Sequence, residues 1–279
     1  MTSDSRWKRY RKHVLLAASI VVLAGCTISP PRTDDKWEKF NRKMFAFNDA
    51  ADKAVIRPVA VGYRKITTPN ARRVISNFFT NIRMPVTMLN DLLQGEPKDF
   101  LSSTGRFVVN TTIGLIGFFD PASQMGLPLN ETDFGVTLAK WGVPEGPYVV
   151  IPLLGSTTAR DVFRFPVDRR VDPLSWYASH HDVEYNAQFL PQVAFLVTLR
   201  SRGIDAEGLL EGVYDPYVFY RDAYRQGRLY QIYDGNPPIE VIEQLQGVSQ
   251  DFDPDALLEE QRKYEQQQKK KDGGGPTTP

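Results

Sequence analysis

The sequence predicts a mostly α-helical body carrying one apolar, Gly/Pro-rich hairpin. Three observations predict it. Apolar residues recur at intervals of three and four along much of the chain, the spacing of one helix face. Prolines stand where helices begin, as in Asp172-Pro173 and Asp215-Pro216, positions at which a missing N–H is harmless. Runs of β character are few, and the clearest, Tyr148 to Ile151, leads into Pro152, which keeps it out of the middle of a sheet.

The chain opens on a basic lead (Arg6, Lys8, Arg9, Arg11, Lys12) and an apolar run from Val14 to Ala24. That is the layout of an export signal over residues 1–25. As a helix the run is about 16 Å long, roughly half of a ~30 Å hydrocarbon core, so it does not span a bilayer. Leu23-Ala24-Gly25-Cys26 resembles the lipobox of bacterial lipoproteins. The resemblance implies diacylglycerol on the Cys26 sulfur, cleavage before Cys26 and acylation of the new amine. Cys26 is the only cysteine in 279 residues. Each buried methylene contributes about 0.8 kcal/mol; one chain anchors marginally, whereas two or three hold a protein on a membrane. Thr27 stands where an inner-membrane lipoprotein carries Asp, which implies sorting to the outer membrane. Residues 26–34 read as a lipidated tether, 35–245 as one helical domain and 246–279 as a disordered polar tail.

The full chain carries a net charge of +1; without the leader's five basic residues and Asp4, 29 Lys+Arg face 32 Asp+Glu, a net −3. Such a balance excludes a basic nucleic-acid binder. With Cys26 modified, no thiol remains for a disulfide, a metal site or redox chemistry. No segment after the leader reaches eighteen uninterrupted apolar residues, so no simple membrane-spanning helix is expected.

Asp35 and Glu38 look like a helix-capping pair. Trp37, Phe40, Met44, Phe47, Ala51 and Val55 then form one apolar stripe, which Arg57-Pro58 is expected to end. A second helix starts near Pro69-Asn70, with Val74, Ile75, Phe78, Phe79 and Ile82 on its apolar face and Asn77 and Asn81 on its flank. Pro85 is expected to break it, and Val86, Leu89, Leu92 and Leu93 resume the pattern to Gly95. Two broad apolar faces suit a bundle core or a lipid interface, and most such stripes are core. Phe100, Thr104, Phe107 and Val108 mark a further helix that runs into Gly114-x-x-Gly117. Two small residues at that spacing allow close backbone approach, in a lipid-embedded pair or a tight core crossing.

Phe134 to Trp141 reads as a short helix. Gly142-Val143-Pro144-Glu145-Gly146-Pro147 is a strong turn signal, and the apolar arm through Leu154-Gly155 follows it. An apolar hairpin with no sheet to join suits either a movable flap or a buried ordered loop. Ser156 is placed to cap the next turn, on which Arg160 and Asp161 lie. Residues 183–200 read as helix kinked at Pro191. Tyr214, Tyr217, Tyr220, Tyr224, Tyr230 and Tyr233 crowd one region, as at membrane boundaries, partner surfaces or half-buried packing.

Catalytic signatures are wanting. His180 and His181 are adjacent and so do not form an i,i+4 metal pair; a solvated helix end is the expected setting. Ser156 lacks the second glycine of a nucleophile elbow, and Gly114/Gly117 lack the third glycine or Lys of a nucleotide loop. No cofactor is implied and no enzyme is expected. What remains is a lipid-tethered helical body rich in apolar residues.

From Trp37 to Tyr233 the chain resembles the MlaA (VacJ) family. The carriers are Phe40-Asn41-Arg42-x-Met44-Phe45-x-Phe47-Asn48, Arg57-Pro58-Val59-Ala60, Ser76-Asn77-Phe78 through Pro85, and Leu93-Gln94-Gly95. Further carriers are Arg106-Phe107, Asn110-Thr111, Gly117-Phe118, Phe134-Gly135-x-Thr137-Leu138, Gly146-Pro147-Tyr148 and Asp215-Pro216-Tyr217. The resemblance implies a ring of helices lying in the inner, periplasmic-side leaflet of the outer membrane beside a trimeric porin. It implies a passive amphipathic channel that takes mislocalised phospholipid from the outer leaflet to a soluble periplasmic carrier, with no hydrolysis. Trp141, Gly142, Pro144, Gly146, Pro147, Tyr148 and Pro152 are then expected to form a gate hairpin. Phe40, Asn41, Phe47 and Asn48 are expected to hold the channel at rest, against the alternative that the aromatics are simple core. A porin-associated structural lipoprotein that moves no lipid is the competing expectation.

Overall fold

The computed structural model describes residues 35–180, 190–210 and 212–249. The expected signal, Cys26, the 26–34 tether, His181 and the chain beyond 249 lie outside the described residues. Helix α1 (Glu38–Ala51) passes through a widened π turn (Asp52–Ile56) into α2 (Arg57–Ile66). Next come α3 (Pro69–Gln94), α4 (Pro97–Thr112), the single turn α5 (Pro121–Gln124) and α6 (Phe134–Lys140). Strands β1 (Tyr148–Ile151) and β2 (Gly155–Thr158) form an antiparallel hairpin with Tyr148 opposite Thr158 and Ile151 opposite Gly155. Then follow a 3₁₀ turn (Asp161–Phe163), α7 (Arg164–Val171), α8 (Pro173–His180), α9 (Leu190–Gly203), a second 3₁₀ segment (Ile204–Leu210), α10 (Pro216–Ile232) and α11 (Ile239–Ser249). The fold is mostly helical, as expected.

The elements touch in a closed circuit. α1 lies on β1, β2 on α10, α10 on α6, α6 on α3, α3 on α9 and α9 on α2, which returns to α1 through the π turn. An open cavity of about 980 Å³ is lined by much of that circuit: α1, the π turn, the start of α2, the hairpin, α9, the second 3₁₀ segment and α10.

Several boundaries agree with the sequence. Thr68 caps α3, Asp133 caps α6 and Asp215 caps α10 through side-chain oxygens, and Gly95 ends α3 in the left-handed conformation, as C-terminal glycines do. Others differ. Asp35 caps nothing; it accepts hydrogen bonds from Asn41 and the Tyr217 hydroxyl, and α1 begins without a side-chain cap. Pro58 does not stop the first helix, because the chain widens just before it and the Arg57 N–H reaches back five residues to Asp52 O. Pro85 lies inside an unbroken α3; an interior proline costs about 3 kcal/mol, which packing along α4, α6 and α9 offsets. Ser156 lies in β2 and bonds the Tyr148 hydroxyl, while Thr158 Oγ1 accepts from the Asp161 N–H. Of the helix expected over 183–200, residues 183–189 lie outside the described residues, and α9 carries Pro191 from Leu190 onward. Helix α11 runs three residues past the expected start of the tail at 246.

The larger correction concerns which way the stripes face. On α1 the only buried residue is Asn41, while Phe40 and Phe47 are exposed, as are Trp37 just before the helix and Val55 in the π turn after it. On α4 the buried residues are Ser103, Arg106 and Asn110, one face at i, i+3, i+7. Among the described residues 19 buried side chains are polar or charged and 13 are apolar, so the usual preference is inverted. No helix among the described residues is long and apolar enough to cross a membrane.

The Gly114-x-x-Gly117 expectation of close approach holds. After α4, Leu115 (φ 53°), Ile116 (φ 60°) and Gly117 (φ 89°) make a left-handed loop. A Cβ on Gly117 would stand 2.3 Å from Asn81 Cβ of α3. Around it Asn81 Nδ2 donates to Thr111 Oγ1 and Asn77 Nδ2 to Phe118 O. Gly117→Ala is expected to cost about 2 kcal/mol or more, from backbone strain and collision together. Gly62→Ala, in α2 with open space around its would-be Cβ, is expected to be neutral or to stabilise by about 0.5–1 kcal/mol. Chemical denaturation of the two variants checks this, and equal effects would contradict the packing described.

Candidate functional site

Two sequence-predicted groups meet at one place. Asn41 and Asn48 are seven residues apart on α1, two turns or about 10.5 Å. Their targets on the hairpin are three residues apart, about 10 Å in extended chain. Asn41 Nδ2 donates to Tyr148 O (2.9 Å) and Asn41 Oδ1 accepts from Val150 N (2.9 Å). Asn48 Nδ2 donates to Ile151 O (3.0 Å) and Asn48 Oδ1 accepts from Leu153 N (2.7 Å). Each side-chain amide thus satisfies the hairpin backbone as a neighbouring strand would. Phe40 and Phe47, 49 % and 51 % exposed, point away from this contact and are not core.

The gate residues fall into two groups, and here the expected turn moves. Gly142 to Pro147 is the fixed base of the hairpin. Trp141 Nε1 donates to Leu93 O, and its ring sits edge-on to Phe134. Pro147 O accepts from Ala159 N and Glu145 O from Arg160 N. At Gly146 (φ 70°) a Cβ would come within 2.8 Å of Ala159 Cβ. Tyr148 is fully buried, under the Arg225 guanidinium that pairs with Glu145 at 3.5 Å. Pro144 is exposed at the base. The tip is Pro152-Leu153-Leu154, with Leu153 at φ 63° and both leucines exposed.

The base is held from below by a buried ionic cluster. Arg228 of α10 grips Asp133 with both terminal nitrogens (2.7 and 2.9 Å) and donates from Nε to Asp161 Oδ2 (3.0 Å). Arg160 Nε and the Tyr224 hydroxyl also donate to Asp161. Burial works to raise the Asp161 carboxyl, and Arg228 and Arg160 overcome it, holding it at about 2. A side chain at Gly135 would strike Arg228 Nη2 at 2.6 Å, so glycine is required for the grip.

The cavity lined by the circuit carries a second ionic group, on residues sequence reasoning did not single out. Arg200 donates to both oxygens of Asp52 (2.8 and 2.9 Å) and to Glu207 Oε1 (2.5 Å), and Arg57 donates to Glu207 Oε2 (2.8 Å). Two guanidiniums beside one carboxylate hold Glu207 down at about 2. Leu196, Leu199 and Phe219 supply apolar wall nearby. No local motif announces this group, since Asp52 and Arg200 are 148 residues apart.

A model of the family described as MlaA lipoprotein matches residues 33–231. The chain belongs to the MlaA lipoprotein family. The intermembrane phospholipid transport system lipoprotein MlaA of Escherichia coli K12 is 36 % identical over 219 residues, 76 % of this chain and 84 % of that relative. Its namesake in Haemophilus influenzae is 31 % identical over 229 residues, 78 % of this chain and 88 % of that relative. An uncharacterised protein of Rickettsia prowazekii is 37 % identical over 197 residues, 70 % and 76 % of the two chains. A chain solved under the heading "Structural basis for maintenance of bacterial outer membrane lipid asymmetry" superposes with a TM-score of 0.63 at 34 % identity, covering 71 % of this chain and 99 % of the other. The helical MlaA fold expected from the sequence is thereby shown. His180, the last described residue of α8, is exposed and stacked on Trp176 with Nδ1 2.9 Å from Trp176 O.

Two outcomes are expected of this MlaA site. In amide hydrogen exchange, Asn48→Ala should strip protection from Leu153 and Asn41→Ala from Val150, each leaving the other amide largely protected; joint loss in both variants would deny two separate clamps. The Asp161 carboxyl, held below its ordinary range, contributes stability that is complete above that range and lost as pH falls toward 2. Asp91 and Asp168, pushed up to about 6 by burial, act oppositely: their contribution is complete in acid and fades as pH rises through 6. Asp161→Asn should cost about 3 kcal/mol or more near neutral pH by leaving Arg228 and Arg160 short of a charge, and should flatten the acid limb in denaturation measured against pH.

Proposed function

We propose that this protein is the outer-membrane lipoprotein of an intermembrane phospholipid transport system. It is held in the inner leaflet by acyl chains on Cys26, and phospholipid mislocalised to the outer leaflet passes through its ring to a soluble periplasmic carrier. A trimeric porin is the expected neighbour in the membrane. The observation that carries this reading is the inverted body: apolar side chains outside, polar groups inside, and an open cavity lined by much of the closed circuit.

The physics runs as follows. A charged headgroup stripped of water in hydrocarbon costs many kcal/mol, so an unassisted lipid crosses slowly. A hole whose largely apolar wall carries a cluster of charged groups lowers that penalty for the head, while its leucines and aromatics keep the tails in apolar company. Irregular backbone at membrane depth is tolerated where it is buried in protein or lines such a cavity. Within the hairpin, the base from Gly142 to Pro147 is fixed and the Pro152–Leu154 tip is the movable part, held by Asn48. Asn41 and Asn48 then act as the rest-state latch, with Phe40 and Phe47 facing lipid.

The test is a lock. A disulfide joining Asn48→Cys to Leu153→Cys is expected to leave phospholipid in the outer leaflet of cells, as deletion of the gene would, and reduction should restore its removal. Removal that continues with the lock fully formed would dispose of the gate. An outer leaflet indifferent to gene loss would leave only the bracing lipoprotein. Cys26→Ala should reproduce the deletion.

A further inference from the structure

Within the lipid-passage reading, on which this inference rests, we propose that Arg57, Arg200 and Glu207 form a seat for the headgroup of zwitterionic glycerophospholipids, with the Glu207 carboxylate as a resident stand-in for the lipid phosphate. The three residues line one side of the 980 Å³ cavity. Glu207 lies between the two guanidiniums, 2.8 Å from Arg57 and 2.5 Å from Arg200. Paired guanidiniums fit phosphate oxygens as they fit a carboxylate.

The occupant follows from the charge balance. Asp49, Asp52 and Glu207 face Lys53, Arg57 and Arg200 around the cavity, three charges of each sign, each cation already within 2.9 Å of a carboxylate oxygen. A ligand with net charge would leave one of these groups unmatched. A phosphodiester bearing an ammonium leaves none: the phosphate takes the place of Glu207 between the arginines, and the released carboxylate meets the ammonium. Exchange of one anion for another is nearly balanced, as suits a site a lipid must also leave. The apolar wall of Leu196, Leu199 and Phe219 lies beside the seat, where the glyceride portion would follow its head. None of the residues belongs to the hairpin clamp, so selection of the head and movement of the gate rest on different side chains.

The full-length protein, purified in micelles doped with equal amounts of phosphatidylethanolamine and phosphatidylglycerol, is analysed by mass spectrometry for retained lipid. The wild type is expected to retain phosphatidylethanolamine in excess. Glu207→Gln, which leaves the arginines one positive charge ahead, should shift the retained ratio several-fold toward phosphatidylglycerol. Arg57→Gln should lower retention of both by about tenfold, the loss of one charge-assisted contact. Should the Arg57 variant fail to fold, the Glu207 variant decides alone. Wild-type retention with a ratio unmoved by Glu207→Gln overturns the seat and leaves the passage reading intact. A wild type that retains no phospholipid overturns both. Displacement of lipid by inorganic phosphate at matched concentration would reassign the arginine pair to free phosphate.

Discussion

A protein that turns its apolar side chains outward must find, within itself, partners for most of the polar groups it withdraws from water. That constraint shapes this molecule. A buried donor or acceptor left unmade costs about 1–3 kcal/mol, and a buried charge more. The interior answers with forks and clusters: Arg106 holds Asp120, Ser123 and Leu127 O under the loop after α4, and Arg228 holds Asp133 and Asp161 under the hairpin. The first ties down a local loop; the second joins α10 to side chains 67 and 95 positions away, so the circuit is fastened there by polar contacts more than by a greasy core. Among the described residues, the clusters of buried apolar side chains around Val136 and around Tyr148 are correspondingly small.

The hairpin shows how the same constraint grades rigidity. A two-stranded sheet presents an unpaired edge that normally invites another strand. Here a helix answers it with side-chain amides, and the coincidence of two helical turns with three extended residues makes the match possible. The match is not uniform along the hairpin. Asn41 is fully buried, with its partners Tyr148 and Val150 buried beside it, whereas Asn48 is partly exposed and bonds the exposed tip. Water competes for the second clamp and not for the first. On the gate proposed above, the tip is the end at which opening would cost least, and local opening is what moving elements require.

Much of this was legible in the sequence, and the failures have physical causes. Helix starts were readable because Thr68, Asp133 and Asp215 are caps whose chemistry is local. The facing of the stripes was not: period 3.6 identifies a face without saying whether it meets protein or another apolar medium, so core remained an open alternative for Phe40 and Phe47. Strand β2, Gly-Ser-Thr-Thr, carries no apolar alternation, and its partner was therefore folded back at the wrong turn. Pro85 was misread because local propensity yields to packing on three neighbouring helices. Asn41 and Asn48 were found only through a family resemblance; their spacing of seven is mute until a strand is known to lie alongside. The Arg57, Arg200 and Glu207 group had no signal, since its members come together only when the ring closes.

The widened turn at Asp52–Ile56 ties the misread proline to that last group. In a regular α-helix, residues five apart point about 140° from one another, and Asp52 and Arg57 would face different sides. A turn closed by an i to i+5 hydrogen bond winds more slowly and narrows that angle, and the bond from Arg57 N to Asp52 O is of that kind. Pro58, which lacks a donor of its own, follows directly. A ring that must not clash with the preceding turn favours the wider winding, so a residue read as a stop signal instead sets the direction of the two side chains beside it. Asp52 and Arg57 both line the cavity and both engage the Arg200–Glu207 pair. The proline thus reaches the charge pattern of the cavity through backbone winding alone, without entering the cavity itself.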